Sequence, residues 1–122
     1  KTLVAYVQGN PEKERALIDR GAELLKLPEM DSKVDLKALL KELACREINE
    51  VHLEAGSVLT GEMLRQQLVD EIVCYLAPKV LGAGRRAFNL PSVDKLIHCE
   101  QWRLVEVKQI GEDARLILRK GK

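Results

Sequence analysis

Aromatic residues are scarce in this chain: one Trp, two Tyr and one Phe, 3% of 122 residues. A single tryptophan, Trp102, does not make a stacking platform for nucleotides, and it reads as core or interface packing. Charge of one sign is also missing. Twenty Lys and Arg against 19 Asp and Glu leave a net charge of +1, without the basic stripe of a general nucleic-acid surface. No apolar run reaches the length of a membrane helix. The basic-then-apolar start, Lys1 to Gly9, is too short for a signal peptide. Three cysteines, Cys45, Cys74 and Cys99, are odd in number and irregularly spaced. They suit neither a disulfide framework nor a paired-ligand zinc knuckle, and a reduced, cytoplasmic compartment is the economical expectation. What remains, 46% hydrophobic and 32% charged residues, is the make-up of one soluble globular domain.

Along the chain, apolar runs and breakers alternate. Leu3, Val4, Tyr6 and Val7 read as a strand closed by Gly9, and Asn10 and Pro11 as an N-cap and first helical residue. The helix stops at Gly21. A second strand, Leu24 to Leu27, ends at Pro28, and polar residues Glu29 to Lys33 are expected to form a loop. Asp35 caps a helix whose Leu36, Leu39, Leu40 and Leu43 share one face. A third strand is expected over Val51 to Ala55, then a helix after Gly56 burying Leu59, Met63, Leu64 and Leu68. The unbroken run Ile72 to Ala77 suits a strand covered on both faces, with Cys74 an inert core thiol. Strands over Trp102 to Val107 and Ala114 to Leu118, turning at Gly111, Glu112 and Asp113, form an antiparallel hairpin, with Val105 and Val107 in one phase. The pattern is α/β: a mixed sheet flanked by helices, in one domain over residues 1–122.

The stretch from Leu53 to Glu62 carries the most chemistry. A strand ending at Glu54 and a helix opening after Gly56 place backbone N–H groups where α/β sheets collect ligands, and a helix start holds phosphate. Gly56 permits close approach, Ser57 and Thr60 offer hydroxyls, and Glu54 can orient a polar substrate or move a proton. The plainer alternative is a tight turn with a serine cap and a surface carboxylate. Neither this stretch nor Gly82-Ala83-Gly84-Arg85-Arg86 has the ending of a P-loop; the latter could grip a phosphate with its two guanidiniums, and its plainer reading is a solvated chain reversal. His52 and His98 lack a ligand cluster, Cys45 and Cys99 an activating base, and Ser57 and Ser92 a nucleophile elbow.

Several separated blocks then carry a resemblance. Val51-His52-Leu53-Glu54-Ala55-Gly56, Leu59, Gly61 and Leu64, Leu68-Val69-Asp70-Glu71, and Tyr75 through Gly82 occur in one order. Together they resemble the C-terminal reductase domain of bacterial bifunctional riboflavin-biosynthesis deaminase–reductases, over essentially the whole chain. The resemblance implies a dihydrofolate-reductase-like fold, represented here by its C-terminal half with a terminal antiparallel hairpin. It implies NADPH-dependent reduction of 5-amino-6-(5-phosphoribosylamino)uracil, the ribosyl group becoming ribityl. Glu54 falls at the substrate-contacting glutamate, and Gly56, Ser57, Val58, Leu59, Thr60, Gly61 and Glu62 fall on the NADPH-binding loop and helix start. No residue is assigned as catalytic or metal-binding. The upstream reductase half and a zinc deaminase domain are expected in a longer polypeptide, so the isolated chain is expected to be weakly active or inactive. A homodimer is implied, with no nucleic-acid or membrane partner. The rival reading is a non-catalytic dimerisation or phosphate- and nucleotide-binding module. Two positions depart from the family pattern: Ala55 stands where a second glycine is usual, and Gln67 where a glycine precedes the Leu-Val-Asp-Glu block.

Overall fold

A computed structural model of the chain describes residues 1–95 and 99–121. His98 lies outside the described residues. The chain forms two compact units, Lys1–His52 and Leu53–Lys122.

In the first unit, β1 (Leu3–Tyr6) leads through α1 (Pro11–Asp19) to β2 (Glu23–Lys26). The two strands pair in parallel, Leu3 opposite Glu23 and Tyr6 opposite Lys26, a pairing that needs a crossover and here has α1 as its crossover. Asn10 opens α1 as expected, its Oδ1 accepting the N–H groups of Glu12 and Lys13, both at 3.1 Å. A second helix, α2 (Leu36–Cys45), opens on Asp35, whose Oδ1 accepts from Lys37 at 2.9 Å and Ala38 at 3.1 Å. Leu27 and Leu36 are the buried side chains. At the far end of α2, Arg46 bonds Glu42 at 3.0 Å and reaches Glu23 on β2 at 2.5 Å. That guanidinium, helped by Lys1, holds the Glu23 carboxyl below its ordinary value.

Residues Glu29 to Lys33 are not a plain loop. They form a short hairpin, β3 (Glu29–Met30) against β4 (Lys33–Val34). Asp31 and Ser32 make its two-residue turn at φ 52° and 59°. Two left-handed residues in a row match the twist of the flanking strands, and Asp tolerates that region. The polar composition hid the hairpin because neither turn residue is glycine.

In the second unit, α3 (Ser57–Arg65) is followed by β5 (Glu71–Leu76), β6 (Trp102–Ile110) and β7 (Asp113–Lys120). The sheet is antiparallel in the order β5-β7-β6. The expected terminal hairpin is therefore present, turning at Gly111 with φ 62°. A bulge between Leu104 and Glu106 shifts its register, so Leu104 and Val107, rather than Val105 and Val107, share the face of Leu116 and Leu118. Trp102 is half-buried. On the opposite face, Arg119 bonds Glu71 at 2.7 Å and Arg115 bonds Glu106 at 2.5 Å. The parallel pair of one unit and the antiparallel sheet of the other give the mixed α/β character expected.

Two strand expectations need correction. Val51 to Ala55 has no strand among the described residues, although its composition favours one; a strand exists only where a neighbour pairs its backbone. β5 forms, yet it is not covered on both faces. It lies at the sheet edge, with Tyr75 57% and Leu76 63% exposed and Cys74 also exposed. Its apolar sequence says what the strand can bury, not what is beside it.

The helices α1, α2 and α3 end in the same hydrogen-bonded motif. After α1 the N–H groups of Gly21 and Ala22 return to Ile18 and Leu17, after α2 those of Glu47 and Ile48 to Ala44 and Leu43, after α3 those of Gln67 and Leu68 to Leu64 and Met63. The motif requires a left-handed residue, supplied by Gly21 (φ 81°), Glu47 (φ 62°) and Gln67 (φ 59°). The glycine usual at the Gln67 position in the resembled family has its physical reason here.

Candidate cofactor and substrate site

The stretch from Glu54 to Glu62 is an exposed segment running into α3. Glu54 is exposed, two positions ahead of Gly56. Gly56 is the N-cap residue, in extended conformation at φ −70° and ψ 162°, and no side chain caps the helix. This is the consequence of having glycine where α1 has Asn10 and α2 has Asp35. An α-helix leaves its first N–H groups without internal partners. In α3 the first internal bond runs from the Thr60 N–H to the Gly56 carbonyl at 3.2 Å. The N–H groups of Ser57, Val58 and Leu59 precede it, and no acidic residue lies in the first turn to offset the positive end of the helix dipole. A β-carbon at Gly56 would meet nothing within 4 Å. The approach to the helix start is open, and its donors are suited to a diphosphate or another anion.

The remaining residues of the segment shape this start. The Thr60 hydroxyl donates back to the carbonyls of Gly56 at 3.1 Å and Ala55 at 3.3 Å, which ties the entering chain to the first turn. Its single proton serves those carbonyls, so toward a ligand Thr60 offers an acceptor. Ser57 is half-buried, whereas Val58 and Leu59 are exposed, Val58 by 57%. Gly61 is buried. Glu62 turns along the helix, accepting from Arg65 Nε at 2.9 Å and Gln66 Nε2 at 2.6 Å. It braces the end of α3. Met63 and Leu64 provide the buried side.

Gly82 to Arg86 is an exposed stretch without regular structure, as its composition suggested. In the first unit a cleft of about 380 Å³ lies among Val4, Tyr6, Asn10, Lys13, Leu17 and Leu24. It holds none of the expected site residues, and Asn10 is already engaged in capping α1. One participant escaped the sequence: Asn89, whose N–H donates to the Ser57 carbonyl at 2.9 Å. A backbone contact leaves no mark on its own residue type. The only signal was Gly61, a glycine inside a helix, which costs about 1 kcal/mol against alanine and so calls for a packing reason.

A family model described as the RibD C-terminal domain matches residues 1–116. The chain belongs to that family. Riboflavin biosynthesis protein RibD of Haemophilus influenzae is 44% identical over 82 residues, 66% of this chain and 22% of that protein. The 5-amino-6-(5-phosphoribosylamino)uracil reductase of Buchnera aphidicola is 39% identical over 89 residues, 72% of this chain and 43% of that protein. Among solved structures, RibD of Acinetobacter baumannii superposes with a TM-score of 0.80 at 27% identity, over 98% of this chain and 31% of the other. The similarity supports the α/β fold expected of a C-terminal RibD-type reductase domain. The chain thus spans about a fifth to under half of the length of these relatives.

Proposed function

We propose that this chain is the C-terminal part of an NADPH-dependent reductase acting on 5-amino-6-(5-phosphoribosylamino)uracil in riboflavin biosynthesis. Family membership over nearly the whole chain supports the reaction class, and the activity for which the Buchnera relative is named supports the substrate. The observation that carries the cofactor half is the opening of α3: an uncapped helix start beside a glycine with free space above its α-carbon.

When bound, NADPH supplies the hydride that converts the ribosyl group to ribityl. The protein's part is to bind and orient. The N–H groups of Ser57, Val58 and Leu59 hold the cofactor's diphosphate, Gly56 leaves room for it, and Thr60, Gly61 and Glu62 fix the turn that presents those donors. Glu54 holds the substrate by a sugar hydroxyl, within reach of a proton-transfer role. Upstream chain supplies the other walls of the cleft and, further away, a zinc deaminase domain. Without those walls the isolated chain loses contacts that stabilise the transition state and is inactive or nearly so. Localisation is proposed as cytoplasmic and the assembly as a homodimer. The exposed apolar side chains of Leu76, Leu104 and Val107, all on one face of the sheet, support self-association.

The test is turnover of the phosphoribosylaminopyrimidine with NADPH by the intact protein and its Glu54→Gln variant. The account expects NADPH oxidation coupled to ribityl product, and about a 100-fold loss of kcat/KM in the variant, in the range for a positioned acid–base or orienting carboxylate. NADPH binding without turnover would instead favour a nucleotide-binding module.

A further inference from the structure

Gly61 is buried in the middle of α3, and its missing side chain is occupied by protein. A β-carbon built there would lie 2.5 Å from the carbonyl oxygen, 2.8 Å from the carbonyl carbon and 2.9 Å from the nitrogen of Asn89. All three are main-chain atoms, which cannot rotate aside. The same residue's N–H donates to the Ser57 carbonyl at 2.9 Å. Ser57 and Gly61 are four residues apart, so Asn89 lies against one face of the first turn of the helix. Asn89 belongs to the stretch between β5 and β6, whose described residues form no helix or strand and which exposes Arg85 and Arg86.

Gly56 differs in kind. Its φ of −70° is open to any residue, and a β-carbon there meets nothing within 4 Å. The protein itself does not require glycine at that position; only a ligand approaching the helix start would.

We infer that Gly61 and the main chain of Asn89 form a clamp that sets the first turn of α3, making Gly61 a positioning residue and Gly56 the ligand-side glycine. The clamp stands on geometry alone; its consequence for NADPH rests on the proposed function. Through it, the loop carrying Arg85 and Arg86 is coupled to the placement of the Ser57, Val58 and Leu59 donors.

The experiment compares Gly61→Ala with Gly56→Ala in the intact protein, by limited trypsin cleavage after Arg85 and Arg86 and by steady-state kinetics. Gly61→Ala is expected to speed cleavage about tenfold, as a released loop opens more often. It should also raise the KM for NADPH about tenfold while kcat changes less than about twofold, a split that general destabilisation does not produce. Gly56→Ala should raise the same KM and leave cleavage at Arg85 and Arg86 unchanged. Faster cleavage in Gly61→Ala with no change of KM in either variant would retain the clamp and overturn the cofactor reading. Unchanged cleavage in Gly61→Ala overturns the clamp. Should Gly61→Ala fail to fold, amide exchange in the unmodified protein decides. The Asn89 amide is expected to exchange about tenfold more slowly than those of Ala87 and Leu90, and equal rates would overturn the clamp.

Discussion

α2 and α3 open with the same backbone need and meet it in different ways. At α2 the Asp35 carboxylate accepts two of the first N–H groups, so the helix closes on itself and carries a negative charge at its positive end. At α3 the corresponding residue is Gly56, and no side chain accepts. The difference is one side chain, yet it separates a helix start completed by its own sequence from one left for an external acceptor. An unsatisfied terminus in an exposed, glycine-marked turn is physically an anion site in waiting. Under the proposed function, the anion it takes is the diphosphate of NADPH.

The sharpest way to break this contrast is to give α3 the cap of α2. Gly56→Asp places a carboxylate on the donors proposed to hold the diphosphate. Removing hydrogen bonds to a charged group at about 1.5–3 kcal/mol lowers NADPH affinity about 100-fold, read by fluorescence titration of the intact protein. The helix itself is not weakened, since Asp is a better N-cap than Gly. The converse change, Asp35→Ala, costs about 1 kcal/mol in a denaturant melt and leaves NADPH binding unchanged.

A comparable effect of opposite sign lies at the helix ends. Gln67→Gly relieves a left-handed residue at φ 59° and is expected to stabilise by about 1 kcal/mol, measured by the same melt. The smallest effect concerns Glu23. Its carboxyl is held below the ordinary value of 4.5 by hydrogen bonds from Arg46 and Lys1. The stability it contributes is therefore present above about pH 4.5 and is lost as pH falls through its lowered folded value. Glu23→Gln removes that loss, so stability should vary less with pH below 4.5, as followed by acid-dependent melting.

Local features of the fold were legible where a residue type has one structural use. Asn10 with Pro11, Asp35 and Gly21 marked caps and a stop, and alternation around Gly111 marked the terminal hairpin. The exit at Glu47 was not legible, because a left-handed residue that is not glycine carries no signature; at Gln67 only the glycine of the resembled family pointed to one. Nor was the turn at Asp31 and Ser32 legible. Coverage was the deeper failure. Val51 to Ala55 and Ile72 to Ala77 have sequences suited to paired, buried strands, but pairing and burial belong to neighbours that a local pattern does not contain. At the site both glycines stood out; the open approach at Gly56 was legible, whereas the reason for Gly61 was not. Gly56 faces open space and Gly61 faces the backbone of Asn89, a distinction that only the folded chain makes.

The central claim is that the helix start after Gly56 receives the cofactor's diphosphate. A crystal structure of the intact protein with NADPH tests it most directly. The account predicts diphosphate oxygens at about 2.7–3.2 Å from at least two of the Ser57, Val58 and Leu59 nitrogens, the range of an N–H···O bond. A bound NADPH whose diphosphate makes no contact with this turn would contradict it.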